Sequence, residues 1–341
     1  MSFDFGCLQP YIDDKNITDI DSNGKSVYVT HVNKGKYMSD TLSEDYLENL
    51  LNRLCNAGAI NDQFNYENPI LDGEIDGLRI HATHRSFSTS GYTLSIRKNP
   101  VELVITEKMA IKTKYCSKDV FRFLKACTES RLSVIFGGEV GTGKSQLMKT
   151  MLSTCPRNWA IDFISDIDEL RMLELYPKRN IRQYIVNDIM GYTETTACIL
   201  RDNADYVCFQ EVRDHAVDDL FLVLSSSARV SATVHLKDAM LMPQRLIQLS
   251  NNKNDSHLLS TIHDYIQVCI VPYKEYVQGT TKRYIKQIAV FWNDAERVPQ
   301  KKLIYECQKD GIHKFELPRY FKDFFKKQGI VFDWREEIEE L

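Results

Sequence analysis

Apolar positions along this chain follow two different rhythms. Up to about residue 100 they alternate singly with polar ones, the period of a half-buried strand. Ser26 to Tyr37 alternates around Val27, Val29 and His31 and turns near Gly35, which predicts a hairpin. Thr41-Leu-Ser-Glu44 has capping-box spacing. The run behind it repeats Leu47, Leu50, Leu51 and Leu54 on one helical face and stops near Gly58, predicting an amphipathic helix. Leu78 to Arg85 and Tyr92 to Arg97, separated by a Ser/Thr/Gly turn, read as paired strands. Their alternation sets Leu78, Ile80, Ala82, Leu94 and Ile96 against Arg79, His81, Thr83, Arg85, Thr93, Ser95 and Arg97. The expectation is a small α+β unit whose sheet has one apolar face and one basic, polar face.

From about residue 118 short apolar runs alternate with helical periods. Strands are predicted at Leu132 to Phe136, Trp159 to Ile164, Tyr206 to Phe209 and Val230 to Val234. Helices are predicted from Lys144 to about Thr154, near Thr193 to Leu200, and over Ala216 to Leu224. Such alternation predicts a mainly parallel sheet covered by helices on both faces. Tyr265 to Tyr276 and Arg283 to Trp292, separated by Gln278-Gly-Thr-Thr, predict a late hairpin, and the charged, aromatic stretch after Cys307 shows no assignable period. Asn99-Pro100 opens a break in the pattern, because proline removes a ladder donor and restricts the residue before it. The organisation expected is an N-terminal α+β domain at 1–100, a linker over 101–117 and an α/β domain over 118–341 that includes the late hairpin and tail.

Composition narrows the class. The chain has 341 residues, 43% hydrophobic and 26% charged, so disordered, collagen-like and simple coiled-coil chains are disfavoured. A formal charge of -4 provides no whole-protein drive toward nucleic acid or anionic lipid. The longest apolar runs, such as Val268 to Val271, fall far short of the roughly 20 residues of a spanning helix. The first residues lack a basic segment leading into an apolar core, so no secretory leader is expected and the cytosol is the expected compartment. Nine cysteines without a Cys-x-x-Cys pair argue against a zinc ribbon or disulfide framework, and Cys208 and Cys269 read as buried thiols within apolar strands.

Gly138-Glu-Val-Gly-Thr-Gly143-Lys144-Ser145 fits G-x-x-x-x-G-K-[ST] and lies between an apolar strand and a helix, where that loop has to be. Its glycines let successive amides turn toward phosphate oxygens, and the helix N-terminus adds its positive dipole end. The candidate ATP-binding set is Gly138, Glu139, Val140, Gly141, Thr142, Gly143, Lys144, Ser145 and Gln146. Lys144 is expected to reach the β and γ phosphates, and Ser145 to offer its hydroxyl to Mg2+. Glu211 ends an apolar strand within Leu200 to Arg213, so it is the candidate base that orients the attacking water, with Arg213 beside it. Asp166 and Glu169 follow another strand of the same domain, and His235 ends Val230 to Val234, where it can sense the γ-phosphate. Arg85 and Arg97 end polar strand faces and can neutralise phosphate charge.

In this order the segments resemble the secretion-ATPase superfamily, in the branch powering type IV secretion and conjugation together with the tight-adherence pilus ATPases. The resemblance spans nearly the whole chain. It rests on Ile70-Leu-Asp-Gly-Glu-Ile-Asp-Gly-Leu-Arg79-Ile, on Leu94-Ser-Ile-Arg97-Lys, and on the Walker A loop ending Lys144-Ser145. It rests also on an Asp box at Ile164-Ser-Asp166-Ile-Asp168-Glu169-Leu, a Walker B stretch at Leu200 to Arg213, and a His box at Ser231-Ala-Thr-Val-His235. Three positions depart from the family pattern: Ser165 replaces a first acid, Gln210 replaces a glycine, and Ser226-Ser227 replace a Gly-His pair. No tetracysteine zinc region is present, which favours the conjugation-like branch; retraction motors lack it too.

The resemblance implies a RecA-like P-loop ATPase domain preceded by the small domain, assembled as a homohexameric ring. It implies ATP held between domains, Arg97 and Arg85 touching phosphate, and Lys144, Glu211, Arg97 and His235 as the catalytic set. The expected partners are further copies of the chain and membrane-embedded secretion or conjugation platform proteins, with the ring peripheral at the inner face of the cell membrane. The expected activity is Mg2+-dependent ATP hydrolysis coupled to secretion, conjugative transfer or pilus assembly. Two alternatives stand beside it: a nucleotide-gated scaffold with little turnover, and a P-loop phosphotransferase.

Overall fold

Two sheets carry the fold, a six-stranded one and a ten-stranded one. The computed structural model describes residues 3–58, 64–214, 216–226, 228–277, 280–308, 311–330, 334 and 337–339. The chain divides into two units, Met1–Pro100 with Glu275–Lys282, and Val101–Lys274 with Arg283–Leu341.

The first unit contains α1 (Gln9–Asp13), β1 (Ile17–Ser22), β2 (Ser26–His31), β3 (Gly35–Thr41), α2 (Glu44–Asn56), β4 (Ile70–Ile75), β5 (Leu78–Thr83) and β6 (Thr93–Lys98). The strands form an antiparallel sheet in the order β3-β2-β1-β6-β5-β4. Val27, Val29, Ile20, Leu94, Ile96, Ile80 and Ala82 share one core with Leu47, Leu50, Leu51 and Leu54 of α2. Each fully buried side chain of this kind contributes roughly 1.5–3 kcal/mol.

The polar face differs from the basic one expected. Register places Asp19, Arg97, Arg79 and Glu74 in one row and Asp21, Ser95, His81 and Asp72 in the next. Arg97 Nε donates to Asp19 at 2.9 Å, and His81 Nδ1 lies 3.2 Å from Asp72. The acids come from β1 and β4, the two neighbours that sequence alternation had not identified, so the face is charge-balanced. The predicted capping box is displaced as well. Thr41 stays paired with Ser26 in the β2–β3 ladder, so the helix is capped by Ser43, whose Oγ accepts from the Tyr46 amide at 3.2 Å. The chain returns to this unit over 275–282, where the Thr281 amide donates to Asn33 O at 2.9 Å. Gly35 (φ +74) is required there, since a Cβ would stand 2.9 Å from the Tyr276 ring.

The second unit begins within the stretch read as linker. Residues 101–117 carry α3 (Glu107–Lys112), and Ala110, Tyr115 and Cys116 are buried in its core. Then follow α4 (Lys118–Glu129), β7 (Val134–Gly137), α5 (Lys144–Ser153), β8 (Ile161–Ser165), α6 (Met172–Leu175), β9 (Ile181–Ile185), α7 (Tyr192–Ile199), β10 (Tyr206–Phe209), α8 (Ala216–Leu224) and β11 (Arg229–Val234). The last elements are α9 (Met242–Leu249), α10 (Leu258–Tyr265), β12 (Val268–Val277), β13 (Thr280–Asn293), β14 (Pro299–Gln308), β15 (Gly311–Lys314), α11 (Arg319–Lys327) and β16 (Glu337–Glu339).

The sheet order is β16-β15-β14-β13-β12-β7-β11-β10-β8-β9. From β12 to β9 every pairing is parallel, as the βα alternation predicts. Beyond the hairpin, β13 to β16 extend the sheet antiparallel. The unassigned stretch after Cys307 thus supplies β15, α11 and β16, with Phe321 and Phe325 of α11 buried. Alternation along β7 shows why helices cover both faces: Val134 and Phe136 join the core under α4 and α5, while Ile135 joins the one under α8, α9 and α10. Cys208 and Cys269 are buried free thiols, as expected. No described helix is long and apolar enough to cross a membrane.

Candidate functional site

At the end of β7 the chain turns through Gly138 to Gly143 and enters α5 at Lys144. Gly138, Gly141 and Gly143 hold φ of +150°, +75° and +99°. At Gly138 a Cβ would stand 2.8 Å from Thr142 Oγ1 and 3.1 Å from Pro272 O, so both backbone angle and space demand glycine there. Thr142 Oγ1 donates to Glu139 O at 2.9 Å, bracing the curve from within. Among the described residues the amides of Val140, Gly141 and Gly143 meet no hydrogen-bond acceptor. Open amides at the start of a ten-residue helix form an anion-binding concavity.

Lys144 folds back over the loop, its Nζ donating to Gly138 O at 2.9 Å and Glu139 O at 3.0 Å. Burial lowers its pKa, while the charges of Glu211 and Glu169 act against that shift. The basic side chain expected to reach phosphate is therefore held at the loop, with both predicted acids within electrostatic range.

Glu211 follows β10, and pairing of β10 with β11 brings it beside His235. His235 Nε2 approaches Glu211 Oε1 at 2.9 Å, and Arg213 Nη2 donates to Oε2 at 2.5 Å. The histidine approach falls outside hydrogen-bond geometry, so Oε1 is buried and still lacks a hydrogen-bond donor among the described residues. Burial raises the Glu211 carboxyl, but the Arg213 hydrogen bond and charge, with His235 and Lys144, outweigh it and hold the group below the usual carboxylate range. Tyr192 completes the surroundings: burial and then Asp166 raise its phenol, and Asp166 also acts on Arg213.

Most predicted site residues of the second unit therefore converge: the loop, Lys144, Glu211, Arg213, His235, Asp166 and Glu169. Arg97 and Arg85 belong to the first unit and are engaged there. Arg97 bonds Asp19, while Arg85 lies 3.4 Å from Glu44 and 3.7 Å from Glu48, with its guanidinium over the Tyr92 ring. Two of the altered motif residues make side-chain hydrogen bonds. Ser165 is buried and accepts from Gln183 Nε2 at 2.9 Å, and Ser226 donates to Val223 O at 2.6 Å at the end of α8. Ser227 lies outside the described residues, as do Gln278 and Gly279 of the predicted hairpin turn.

Three cations escaped sequence reasoning. Lys274 Nζ donates to Val140 O at 3.2 Å and Arg283 Nε to Gly141 O at 3.0 Å, so the base of the β12–β13 hairpin grips the phosphate loop. Only the sheet order, with β12 against β7, brings them there. The third, Arg245 of α9, lines a cavity of about 460 Å3 with Gly138, Glu139, Val140, His235, Leu236 and Lys237.

Comparison with known proteins places this geometry in context. The profile of the family described as "Type II/IV secretion system protein" matches residues 85–274. An uncharacterized protein of Bacillus anthracis is 26% identical over 249 residues, covering 72% of this chain, and the chain spans only 56% of that relative's length. The ATPase DotB of Legionella pneumophila has a similar fold, with a TM-score of 0.65 at 16% identity, covering 87% of this chain and 83% of that one. The pilus retraction motor PilT, solved with bound ADP, gives a TM-score of 0.61 at 16% identity, covering 87% of this chain and 85% of that one.

Proposed function

This chain belongs to the type II/IV secretion system protein family, and we propose that it is a Mg2+-dependent ATPase working as the ring-forming motor of a type IV secretion, conjugation or related pilus-assembly machine. The observation that carries the reading is Glu211 Oε1, a buried acceptor that meets no hydrogen-bond donor among the described residues, in the same unit as a loop of open amides and Lys144. The similar folds of the ATPase DotB and of the motor PilT, solved with bound ADP, support a nucleotide ligand. The ring is proposed as a homohexamer docked on membrane-embedded platform proteins, peripheral to the inner face of the membrane.

The residues present fit Mg-ATP: open amides for phosphate oxygens, Lys144 for their charge, and the Ser145 hydroxyl at the helix start for the metal. Bound there, Mg-ATP supplies the scissile phosphoanhydride and the metal's charge. Lys144 exchanges two carbonyls for anionic oxygen, a stronger hydrogen-bond acceptor. Glu211, held ionised by Arg213, presents Oε1 to a water and accepts its proton. His235 and Arg213 fix the carboxylate's direction. Arg97 and Arg85 are proposed phosphate contacts, which requires them to leave Asp19 and Glu44.

A nucleotide-gated scaffold is the second reading, favoured by Ser165, which stands where the family pattern has an acid, and by the altered position Gln210. Steady-state Mg-ATP hydrolysis and binding of a fluorescent ADP, compared across parent, Glu211→Gln and Lys144→Ala, separate the two. The motor reading expects Glu211→Gln to lose about 100-fold or more in turnover while still binding ADP. Unchanged turnover removes Glu211 as base, and parent activity no greater than that of Lys144→Ala selects the scaffold.

A further inference from the structure

Among the described residues Arg245 is an unpaired cation on a cavity wall. Met242 and Leu246 on α9 are buried in the core, and Arg245 between them is half-buried. Its Nε is fully buried without a hydrogen-bond partner, and no hydrogen bond or ion pair to this side chain occurs among the described residues. Leaving a guanidinium donor desolvated and unmatched is costly, so such a group marks the place of an anion. The cavity supplies none. Among the described residues Glu139 is the only carboxylate lining it, and Glu139 already lies 3.1 Å from Lys237 Nζ. Lys237 and Arg245 therefore outnumber the acid, and His235, on the same wall, is drawn toward Glu211 rather than toward Arg245. Gly138, Glu139 and Val140 form the remaining wall, so an anion in this space lies against the outer edge of the phosphate loop. A tetrahedral oxyanion suits the set, because a guanidinium offers paired donors to two of its oxygens and an ammonium matches a third.

We propose that Arg245, with Lys237, binds a phosphate group at the edge of the loop. The proposal rests on the reading of the loop as a nucleotide site, and the group bound is either the terminal phosphate still attached or the inorganic phosphate released from it. Binding to the full chain in Mg2+ is measured for ADP, for ATPγS, and for inorganic phosphate added to the ADP-loaded protein, in parent, Arg245→Gln and Arg245→Lys. An attached phosphate predicts that Arg245→Gln weakens ATPγS about tenfold or more, leaves ADP within about twofold, and is partly rescued by lysine. A released phosphate predicts unchanged ADP and ATPγS but loss of phosphate binding to the ADP form. Unchanged affinity for all three ligands, or equal weakening of ADP and ATPγS, overturns the assignment while leaving the nucleotide site intact. A parent that binds no nucleotide overturns both.

Discussion

Replacing Gly138 and Gly143 by alanine separates the two reasons for glycine in the phosphate loop. Both hold positive φ, so each alanine carries backbone strain of about 1–3 kcal/mol. At Gly143 the added methyl meets nothing nearer than Ile105 Cδ1 at 3.8 Å, and strain is the whole cost. At Gly138 the methyl stands 2.8 Å from Thr142 Oγ1 and 3.1 Å from Pro272 O. Neither neighbour yields easily: Thr142 is 2% exposed and bonded to Glu139 O, and Pro272 O is backbone. Overlap of this kind adds about 1–3 kcal/mol. For a unit of this size each kcal/mol moves the melting temperature by roughly 2–4 °C. Gly138→Ala is therefore expected to melt roughly 5 °C below Gly143→Ala by scanning calorimetry, and to lose more ADP affinity because Thr142 is displaced. Equal melting temperatures for the two variants refute the steric argument.

Removing Arg213 frees burial to raise Glu211, against the weaker pull of His235 and Lys144. A reaction that needs ionised Glu211 fails as pH falls through that pKa, so Arg213→Met is expected to shift the acidic limb of the kcat/KM profile to higher pH; an unmoved limb excludes Arg213 as the group that keeps Glu211 ionised. In the second core the Lys314 side chain is fully buried, 2.7 Å from Asp119 on α4. Asp119→Ala takes one carboxylate away from that ammonium and is expected to cost about 1–3 kcal/mol in urea denaturation. The double variant Asp119→Leu with Lys314→Met should recover most of that loss, and no recovery shows that the damage lies in packing.

The phosphate loop was legible in the chain itself because everything it needs is contiguous: an apolar strand, glycines at the turning points, then Lys144 and Ser145 at a helix start. Leu47, Leu50, Leu51 and Leu54 were legible for the same reason, since one helical period declares one buried face. The start of that helix was not, because Thr41 was claimed by the ladder with β2, a nonlocal competitor invisible to a capping pattern. Strands such as β9 and β4 were hidden because their half-buried or exposed polar residues weaken the alternation that marks a strand. The polar face of the small sheet read as basic only while β1 and β4 were unseen. At the site, Glu211 could be named from its place after an apolar strand, with Arg213 two residues on, but the approach of His235 depends on β10 lying beside β11. Lys274, Arg283 and Arg245 show the limit most plainly. Each lies more than a hundred residues from the loop it serves, and only sheet order and helix packing, which lower free energy through contacts between distant segments, bring them to it.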